Sequence, residues 1–314
     1  MTLKMSWVQP NFQQGPKEFN AYYLPYSAGV ILSYAMASSL VQQQWELDEL
    51  IWRREPVEQV AQRLQHNDLV AFSTYVWNHR YNYSLARRIK ELNPRVQILF
   101  GGPEPAITDP QLFQNQPYMD LVICFEGEIT FRNVLLHYES RDWENIPGLL
   151  INRDGTVVKT QDARRIETLG EVPSPYLTGI FDRIVAENPG IEWNGTLETN
   201  RGCPFQCNFC DSAAVTGKRY RAPSPKYLVD EMEHLKKDFG VREVAFAATT
   251  FLATGGFMIM PFSSAYTVNN LGIALTDLPT VYLVTGLCTI FAGPMIGRAS
   301  DRFGKFPVFV FGTL

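Results

Sequence analysis

Short apolar runs alternate with amphipathic stretches through the first 140 residues, and this alternation constrains the fold more than any other feature. Leu69–Val76 is predicted as a buried strand, followed by a helix over Ser84–Leu92 that ends before Pro94. Val96–Phe100 is predicted as the next strand. Strands that alternate with helices predict a parallel, doubly wound α/β sheet with its ligand site at the carboxyl ends of the strands.

The rest of this region follows the same pattern. The predicted strands are Ser6–Pro10, Glu46–Trp52 and Asp120–Phe125, and the predicted helices are Ala28–Ser39, Pro56–Gln65 and Ile129–Tyr138. The Gly101-Gly102 loop after one strand lies where such sheets bind ligands. The alternative, that the two glycines make a tight turn, is equally compatible with their spacing.

A different organisation is predicted after residue 140. Pro147–Thr160 is predicted as a hairpin because Asp154-Gly155 is a strong two-residue turn signal. Glu171–Phe181 is predicted as an ordered connector with little regular structure. The segments Thr196–Thr199, Pro225–Phe239 and Val241–Phe246 then predict a strand, a helix and a strand. They would form one βαβ unit of a second parallel sheet or barrel.

Cysteine usage favours a metal over disulfides. The five cysteines are Cys124, Cys203, Cys207, Cys210 and Cys288. An odd count with three members in eight residues is typical of a reduced compartment, and the N-terminus lacks the apolar segment of a signal peptide. We therefore expect residues 1–246 to be cytoplasmic. The net charge of −4 provides no basic field for nucleic acid.

The clustered cysteines form a CxxxCxxC motif at Cys203, Cys207 and Cys210. Three thiolates on one short loop can bind three irons of a four-iron cluster and leave the fourth iron open for a substrate. Zinc is the structural alternative, because sulfur ligands also suit it. Zinc normally has four closed ligands, however, and no fourth cysteine or histidine lies nearby in the sequence.

This motif resembles the signature of the radical S-adenosylmethionine (SAM) superfamily, in which an aromatic residue precedes the last cysteine. Phe209 occupies that position, and the resemblance implies that it lies against the adenine of SAM. It also implies a [4Fe-4S] cluster that passes an electron to the sulfonium and generates a 5′-deoxyadenosyl radical. A small-molecule substrate and a reductant such as flavodoxin or ferredoxin are the implied partners.

The upstream segments Leu69–Glu104 and Cys124–Glu128 resemble the cobalamin-binding domain of cobalamin-dependent radical SAM enzymes. The hairpin at Ile146–Val158 and the connector at Leu169–Phe181 resemble the bridge between the two domains of that class. The resemblance covers about residues 5 to 246. It implies a corrinoid resting over the strand ends, near Ser73, Thr74, Gly101, Gly102, Glu126 and Gly127.

Many cobalamin domains of this kind supply an axial histidine from a DxHxxG motif, which this sequence lacks. His79 follows a predicted strand, but a lone histidine on a loop is more often a surface residue than a ligand. We therefore expect cobalamin to bind without a histidine ligand.

The charge distribution separates the last 71 residues from the rest. Of the 60 charged residues, five lie between Val244 and Leu314. Phe246–Tyr266 and Thr280–Gly297 carry no charge, and Phe306–Leu314 begins a third apolar run. Such lengths predict membrane-spanning helices, with a buried soluble helix as the alternative.

The basic loop between the second and third apolar runs resembles the GxxxDRxGRK motif of major facilitator superfamily transporters. The matching residues are Gly297, Asp301, Arg302, Gly304 and Lys305, and the motif fails at Phe306. Met258–Asp277 also resembles the end of a transporter's first helix and its outer loop. The alternative is a basic loop that follows any membrane span and stays cytoplasmic.

Together these patterns predict four regions. A Rossmann-like cobalamin-binding domain occupies residues 1–140, a hairpin and connector 141–190, a truncated radical SAM (β/α) barrel 191–246, and transporter-like transmembrane helices 247–314. We interpret the chain as an in-frame fusion at Val244–Phe251 whose barrel is too incomplete for catalysis. The predicted activity is methyl transfer to an unactivated carbon. The alternative is a membrane transporter fragment with a soluble N-terminal fusion.

Overall fold

The computed structural model of the chain describes residues 2–14, 20–203, 215–241 and 243–246. These residues belong to a compact unit, Met1–Thr250. Its strands are β1 (Leu3–Asn11), β2 (Ala21–Tyr23), β3 (Trp45–Arg53), β4 (Leu69–Ser73), β5 (Gln97–Gly101), β6 (Leu121–Ile123), β7 (Leu149–Arg153), β8 (Thr156–Lys159), β9 (Glu192–Leu197) and β10 (Val244–Phe246). Its helices are α1 (Tyr26–Met36), α2 (Ser39–Gln44), α3 (Val57–Leu64), α4 (His79–Leu92), α5 (Leu112–Asn115), α6 (Glu128–Leu136), α7 (Asp182–Glu187) and α8 (Pro225–Lys237).

The larger sheet has seven strands in the order β3-β1-β4-β5-β6-β7-β8. The first five are parallel, and the hairpin of β7 and β8 adds two antiparallel strands at the β6 edge. The parallel part has the doubly wound order in which the chain reverses direction between β1 and β4. This confirms the predicted α/β, Rossmann-like fold, with a mixed rather than fully parallel sheet.

Both faces of the larger sheet are covered because its central strands carry apolar side chains on both sides. On β4, Leu69 and Ala71 pack into the core that contains α1 and α6. Val70 and Phe72 point the other way, into the core that contains α3 and α4. Phe72 stacks on Phe100 of β5 with ring centroids 4.7 Å apart.

The hairpin is turned by the two residues predicted for it. Asp154 has a φ of 52° and Gly155 a φ of 84°, and a two-residue turn with both angles positive fits the right-handed twist of the flanking strands. Arg153 pairs directly with Thr156 across this turn. The hairpin prediction is therefore confirmed.

A second sheet contains three parallel strands in the order β10-β9-β2. Helix α8 connects β9 to β10 as predicted, and its Leu235 packs against Gly195 of β9. The third strand, β2, comes from the N-terminal region that the sequence assigned to the first domain. At three residues it is too short to show a periodic pattern. The domain boundaries given in the sequence analysis therefore stay a prediction. The structure adds that β2, from the N-terminal region, belongs to the second sheet.

The connector between the sheets has little regular structure, as predicted. A 3-10 turn at Leu169–Glu171 precedes it, and helix α7 begins just after it. The side chain of Tyr176 is buried, and its hydroxyl bonds to both backbone groups of Thr196 on β9. Phe181 packs where a Cβ on Gly29 of α1 would be. The connector thus joins α1 of the first sheet to β9 of the second.

The helices of the described residues are all too short or too polar to cross a membrane. The predicted spans and the transporter-like loop motif, residues 247–314, lie outside the described residues.

Candidate functional site

The carboxyl ends of β1 and β4 flank the point where the chain reverses direction, which is where sheets of this topology bind ligands. The loop after β4 contains Thr74 and Tyr75, and the segment after β1 contains Phe12. The six residues that the sequence predicted for corrinoid binding lie at or just after the ends of β4, β5 and β6, so the structure brings them to this edge of the sheet.

Ser73 and Thr74 lie at the predicted place, but their hydroxyl groups already have protein partners. The Trp7 indole donates to Ser73 Oγ at 2.9 Å. Asn82 Nδ2 donates to Thr74 Oγ1 at 3.0 Å and to the Ser73 carbonyl at 3.1 Å. Both residues are almost fully buried. They shape the strand end from within the protein.

Gly101 and Gly102 differ in what surrounds them. Gly102 has a φ of +97°, and a Cβ there would lie 2.4 Å from the Thr74 carbonyl oxygen. A glycine is therefore required at 102 for the turn and for its close approach to Thr74. A Cβ on Gly101 would meet its nearest neighbour, Ile123, at 3.9 Å. The tight-turn interpretation explains Gly102, whereas Gly101 leaves space at the strand end.

Four large apolar side chains are exposed along the carboxyl edge, and we call them the apolar rim: Phe12, Val76, Trp77 and Phe125. Trp77 is 41% exposed; its ring stacks on Tyr75 at 4.6 Å and meets Phe12 edge-on at 6.4 Å. Exposed aromatic groups of this kind favour a flat, largely apolar ligand. Sequence reasoning missed the rim, although its signal was present as large apolar residues at or just after the ends of predicted strands.

An open groove continues the rim along the start of α4. It is lined by Arg54, Val76, Trp77, His79, Arg80 and Tyr81. His79 is the first residue of α4, not a loop residue as expected. Its Nδ1 lies 2.9 Å from the Val76 carbonyl oxygen and 3.7 Å from Glu104. The absence of a histidine ligand to cobalamin stays a prediction.

Glu126 and Gly127 occupy the loop after β6. Arg221 donates to both carboxylate oxygens of Glu126, at 2.6 and 3.0 Å, and Arg165 lies 3.4 Å away. Burial raises the pKa of Glu126, but the Arg221 hydrogen bonds and the charges of Arg201 and Arg221 outweigh it, so the net pKa is below its usual value. Glu126 therefore faces arginines with its carboxylate ionised. Gly127, the residue before α6, is buried against Ile31 of α1.

Arg201 completes this buried ion cluster. It donates to both oxygens of Glu198, at 2.7 and 2.9 Å, and lies 2.5 Å from Glu128. Burial lowers the pKa of Arg201, and the charges of Glu128 and Glu198 more than reverse this, so it stays protonated. The cluster members are Glu126, Glu128, Arg165, Glu198, Arg201 and Arg221. Sequence reasoning missed their pairing because the partners are up to 95 residues apart.

Cys203 lies two residues beyond Arg201 and is a free, half-buried cysteine. Its backbone N–H donates to the Gly217 carbonyl at 2.9 Å, which closes the base of the loop that carries the CxxxCxxC motif. Cys207, Cys210 and Phe209 lie outside the described residues. Within the described part of the chain, His, Cys, Asp and Glu side chains form no group of three able to hold a metal.

Cys124 differs from Cys203. It is buried after β6, and burial raises the pKa of its thiol to about 11. A thiol held neutral in this way is a poor metal ligand. Cys124 therefore belongs to the apolar core of the larger sheet.

Glu231 of α8 is a second carboxyl group that sequence reasoning missed. Its side chain is fully buried, Ser174 donates to its Oε1 at 2.6 Å, and its Oε2 has no hydrogen-bond partner. Burial raises the pKa of Glu231 to about 7, against the Ser174 hydrogen bond that lowers it and with a smaller contribution from the charge of Glu198.

The fold and the site together define an α/β protein with a doubly wound domain whose carboxyl edge meets the base of a cysteine loop. A family model described as a B12 binding domain matches residues 33–135, which run from the end of α1 into α6. The match covers the strand ends at β4, β5 and β6.

Two curated relatives extend the similarity beyond this domain. The chain is 32% identical over 243 residues to the cobalamin-dependent radical SAM methyltransferase TokK of Streptomyces tokunonensis, covering 76% of this chain and 35% of TokK. It is also 32% identical over 215 residues to the 2-(S-pantetheinyl)-carbapenam-3-carboxylate methyltransferase of Streptantibioticus cattleyicolor, covering 67% and 32% of the two chains. The chain spans about a third of the length of these relatives.

Solved structures show the same fold. The cobalamin-dependent radical enzyme OxsB, with aqua-cobalamin and SAM bound, superposes with a TM-score of 0.59 at 20% identity, covering 78% of this chain and 34% of OxsB. TsrM of Kitasatospora setae, with cobalamin and a [4Fe-4S] cluster bound, gives 0.57 at 18%, covering 79% and 48%. These comparisons support the similarity to cobalamin-dependent radical SAM methyltransferases and give no evidence for a transporter fragment.

Proposed function

We propose that this chain is the cobalamin- and cluster-binding part of a cobalamin-dependent radical SAM methyltransferase. The observation that carries the proposal is at the end of β6. There, Phe125 belongs to the apolar rim and the adjacent Glu126 bonds to Arg221 at the base of the cysteine loop. A corrinoid surface and a cluster loop would therefore adjoin, as transfer of a methyl group with a radical requires.

The residues present fit both cofactors. The apolar rim offers aromatic surface to a corrinoid, and Gly101 leaves space at the strand end. Cys203 would be a cluster ligand together with Cys207 and Cys210, and Phe209 would lie against the adenine of SAM. When bound, the cobalamin carries a methyl group and the cluster supplies the electron that cleaves SAM.

The chain's own residues orient these groups. Trp7 and Asn82 fix the strand end at Ser73 and Thr74 from inside the protein. With cobalamin bound, the rim would exclude water from the carboxyl edge where the corrinoid would rest. The proposal includes a small-molecule substrate, a reductant such as flavodoxin or ferredoxin, and a cytoplasmic location for residues 1–246.

The apolar rim provides the test. Trp77→Ala should weaken binding of hydroxocobalamin by about tenfold, because an aromatic contact and its buried area are lost. The affinity can be measured from the absorbance of cobalamin retained with the chain after filtration. Leu40→Ala removes an exposed apolar side chain from α2 and is the control, with no expected change. Equal affinities for the Trp77 variant and the unaltered chain would refute this placement of cobalamin.

A further inference from the structure

Arg221 is the residue that joins the ion cluster to the cysteine loop. Its side chain is 5% exposed, and besides Glu126 it donates to the carbonyls of Ile166 and Thr216 at 2.5 and 2.6 Å. Its backbone pairs with Arg201 in both directions at 2.8 Å. Arg221 therefore holds one side of the loop base by its backbone and the edge of the larger sheet by its guanidinium.

The loop base has little room to move. Gly202 has a φ of +87°, and a Cβ there would lie 1.9 Å from the Arg219 carbonyl oxygen. The Cys203 N–H bonds to the Gly217 carbonyl at 2.9 Å. The position of Cys203 thus depends on the segment that ends at Arg221, and Glu126 links Arg221 to the end of β6.

The charges of the cluster balance, with three carboxylates and three guanidinium groups. Glu126 contacts all three arginines: Arg165 at 3.4 Å, Arg201 at 3.6 Å and Arg221 at 2.6 Å. A neutral side chain at 126 would leave a buried excess of positive charge, which is costly unless the arginines turn toward water. Such a turn would release Arg221 and the loop base with it.

We propose that Glu126 is a positioning residue for the cysteine loop and that its carboxylate is not a cobalamin ligand. The carboxylate holds Arg221, and through it Cys203, in register with the carboxyl edge of the larger sheet. The expected effect of Glu126 on the retention of an iron–sulfur cluster rests on the proposed function. The loop geometry itself can be measured without any cofactor.

The first measurement is amide hydrogen exchange on the full chain without iron. In Glu126→Gln, the peptides that contain Cys203 and Arg221 should exchange about tenfold faster than in the unaltered chain. Glu126→Asp keeps the charge and should recover part of the protection. Glu58→Gln is the matched control, because Glu58 binds Arg88 with two hydrogen bonds of similar length on the protein surface, and it should leave these peptides unchanged.

The second measurement follows anaerobic reconstitution with iron and sulfide. Glu126→Gln should lose iron to a chelator about tenfold faster, while its hydroxocobalamin affinity stays within twofold of the unaltered chain. Unchanged exchange at Cys203, or a loss of cobalamin affinity with normal iron retention, would overturn the inference. If the unaltered chain binds no iron, the proposed function fails, and the exchange data still decide whether Glu126 positions the loop.

Discussion

At the scale of single residues, Glu126 and Glu231 show how partners decide the charge of a buried carboxyl group. Burial acts in the same direction on both, but Glu126 meets arginines and its pKa falls. Glu231 meets the hydroxyl of Ser174 and the negative charge of Glu198, and its pKa rises to about 7. A buried carboxylate with a positive partner stays ionised, and one without such a partner keeps its proton.

Glu231 therefore predicts a pH dependence of stability. Between pH 4.5, the ordinary pKa, and about 7, the folded chain keeps this proton and the unfolded chain loses it. The free energy of unfolding should fall across this window, by on the order of 3 kcal/mol, and level off above it. Urea unfolding at a series of pH values measures this change.

Glu231→Gln should remove most of this pH dependence and raise stability at pH 8. Glu233→Gln on the same helix is the control, because Glu233 is exposed and pairs with Lys237 at the surface. An unaltered decline between pH 4.5 and 7 in the Glu231 variant would show that another group is responsible.

The paired glycines after β5 give a second prediction. Gly102→Ala should destabilise the chain by about 1–3 kcal/mol, because alanine disfavours a φ of +97° and its Cβ would meet Thr74 at 2.4 Å. Gly101→Ala, whose Cβ would have its nearest neighbour at 3.9 Å, should change stability much less. Chemical unfolding followed by circular dichroism compares the two, and similar losses would contradict the assigned roles.

At the scale of secondary-structure elements, the sequence predicted those with a long apolar or periodic pattern. Strand β4 is apolar at nearly every position, and the hairpin carries a strong turn signal, so both were identified. Strand β2 has three residues and joins a sheet whose central strand begins at Glu192. No local sequence pattern predicts the pairing of β2 with β9, because the paired residues are about 170 positions apart in the sequence.

Helix α8 gives a prediction at this scale. Leu235 is fully buried against Gly195 of β9, so Leu235→Ala should cost about 2–5 kcal/mol of stability by opening a cavity. Val229→Ala removes a side chain on the same helix that is 51% exposed and should change stability by no more than about 0.5 kcal/mol. Thermal unfolding compares the two variants, and equal effects would contradict the packing of α8 on the second sheet.

The candidate site also contains residues that the sequence could predict and residues that it could not. The cysteine motif and the strand ends could be predicted because their spacing in the sequence carries the chemistry. The ion cluster could not, since Glu126 and Arg221 are ordinary charged residues until the fold brings them to 2.6 Å. Glu126 is the clearest example, because its place near the corrinoid stays a prediction, whereas the arginines around its carboxylate become visible only in the fold.

At the scale of the whole molecule, the connector and the ion cluster join the two sheets within one compact unit, Met1–Thr250. Tyr176 links the connector to β9, and Arg221 links the loop base to the end of β6. The fold thus brings Arg201 and Arg221, at the base of the cysteine loop, to Glu126 at the carboxyl edge of the larger sheet. A chain built in this way should hold both cofactors together.

The most direct test is the metal content of the full chain after anaerobic reconstitution with iron, sulfide and hydroxocobalamin. We expect on the order of four irons and one cobalt per chain, with absorption near 400 nm from the cluster. Cys203→Ala should lose the iron and keep the cobalt, whereas Cys124→Ala, which removes a buried neutral thiol, should keep both. A colourless chain that binds one zinc, or iron that survives in the Cys203 variant, would contradict the proposed function.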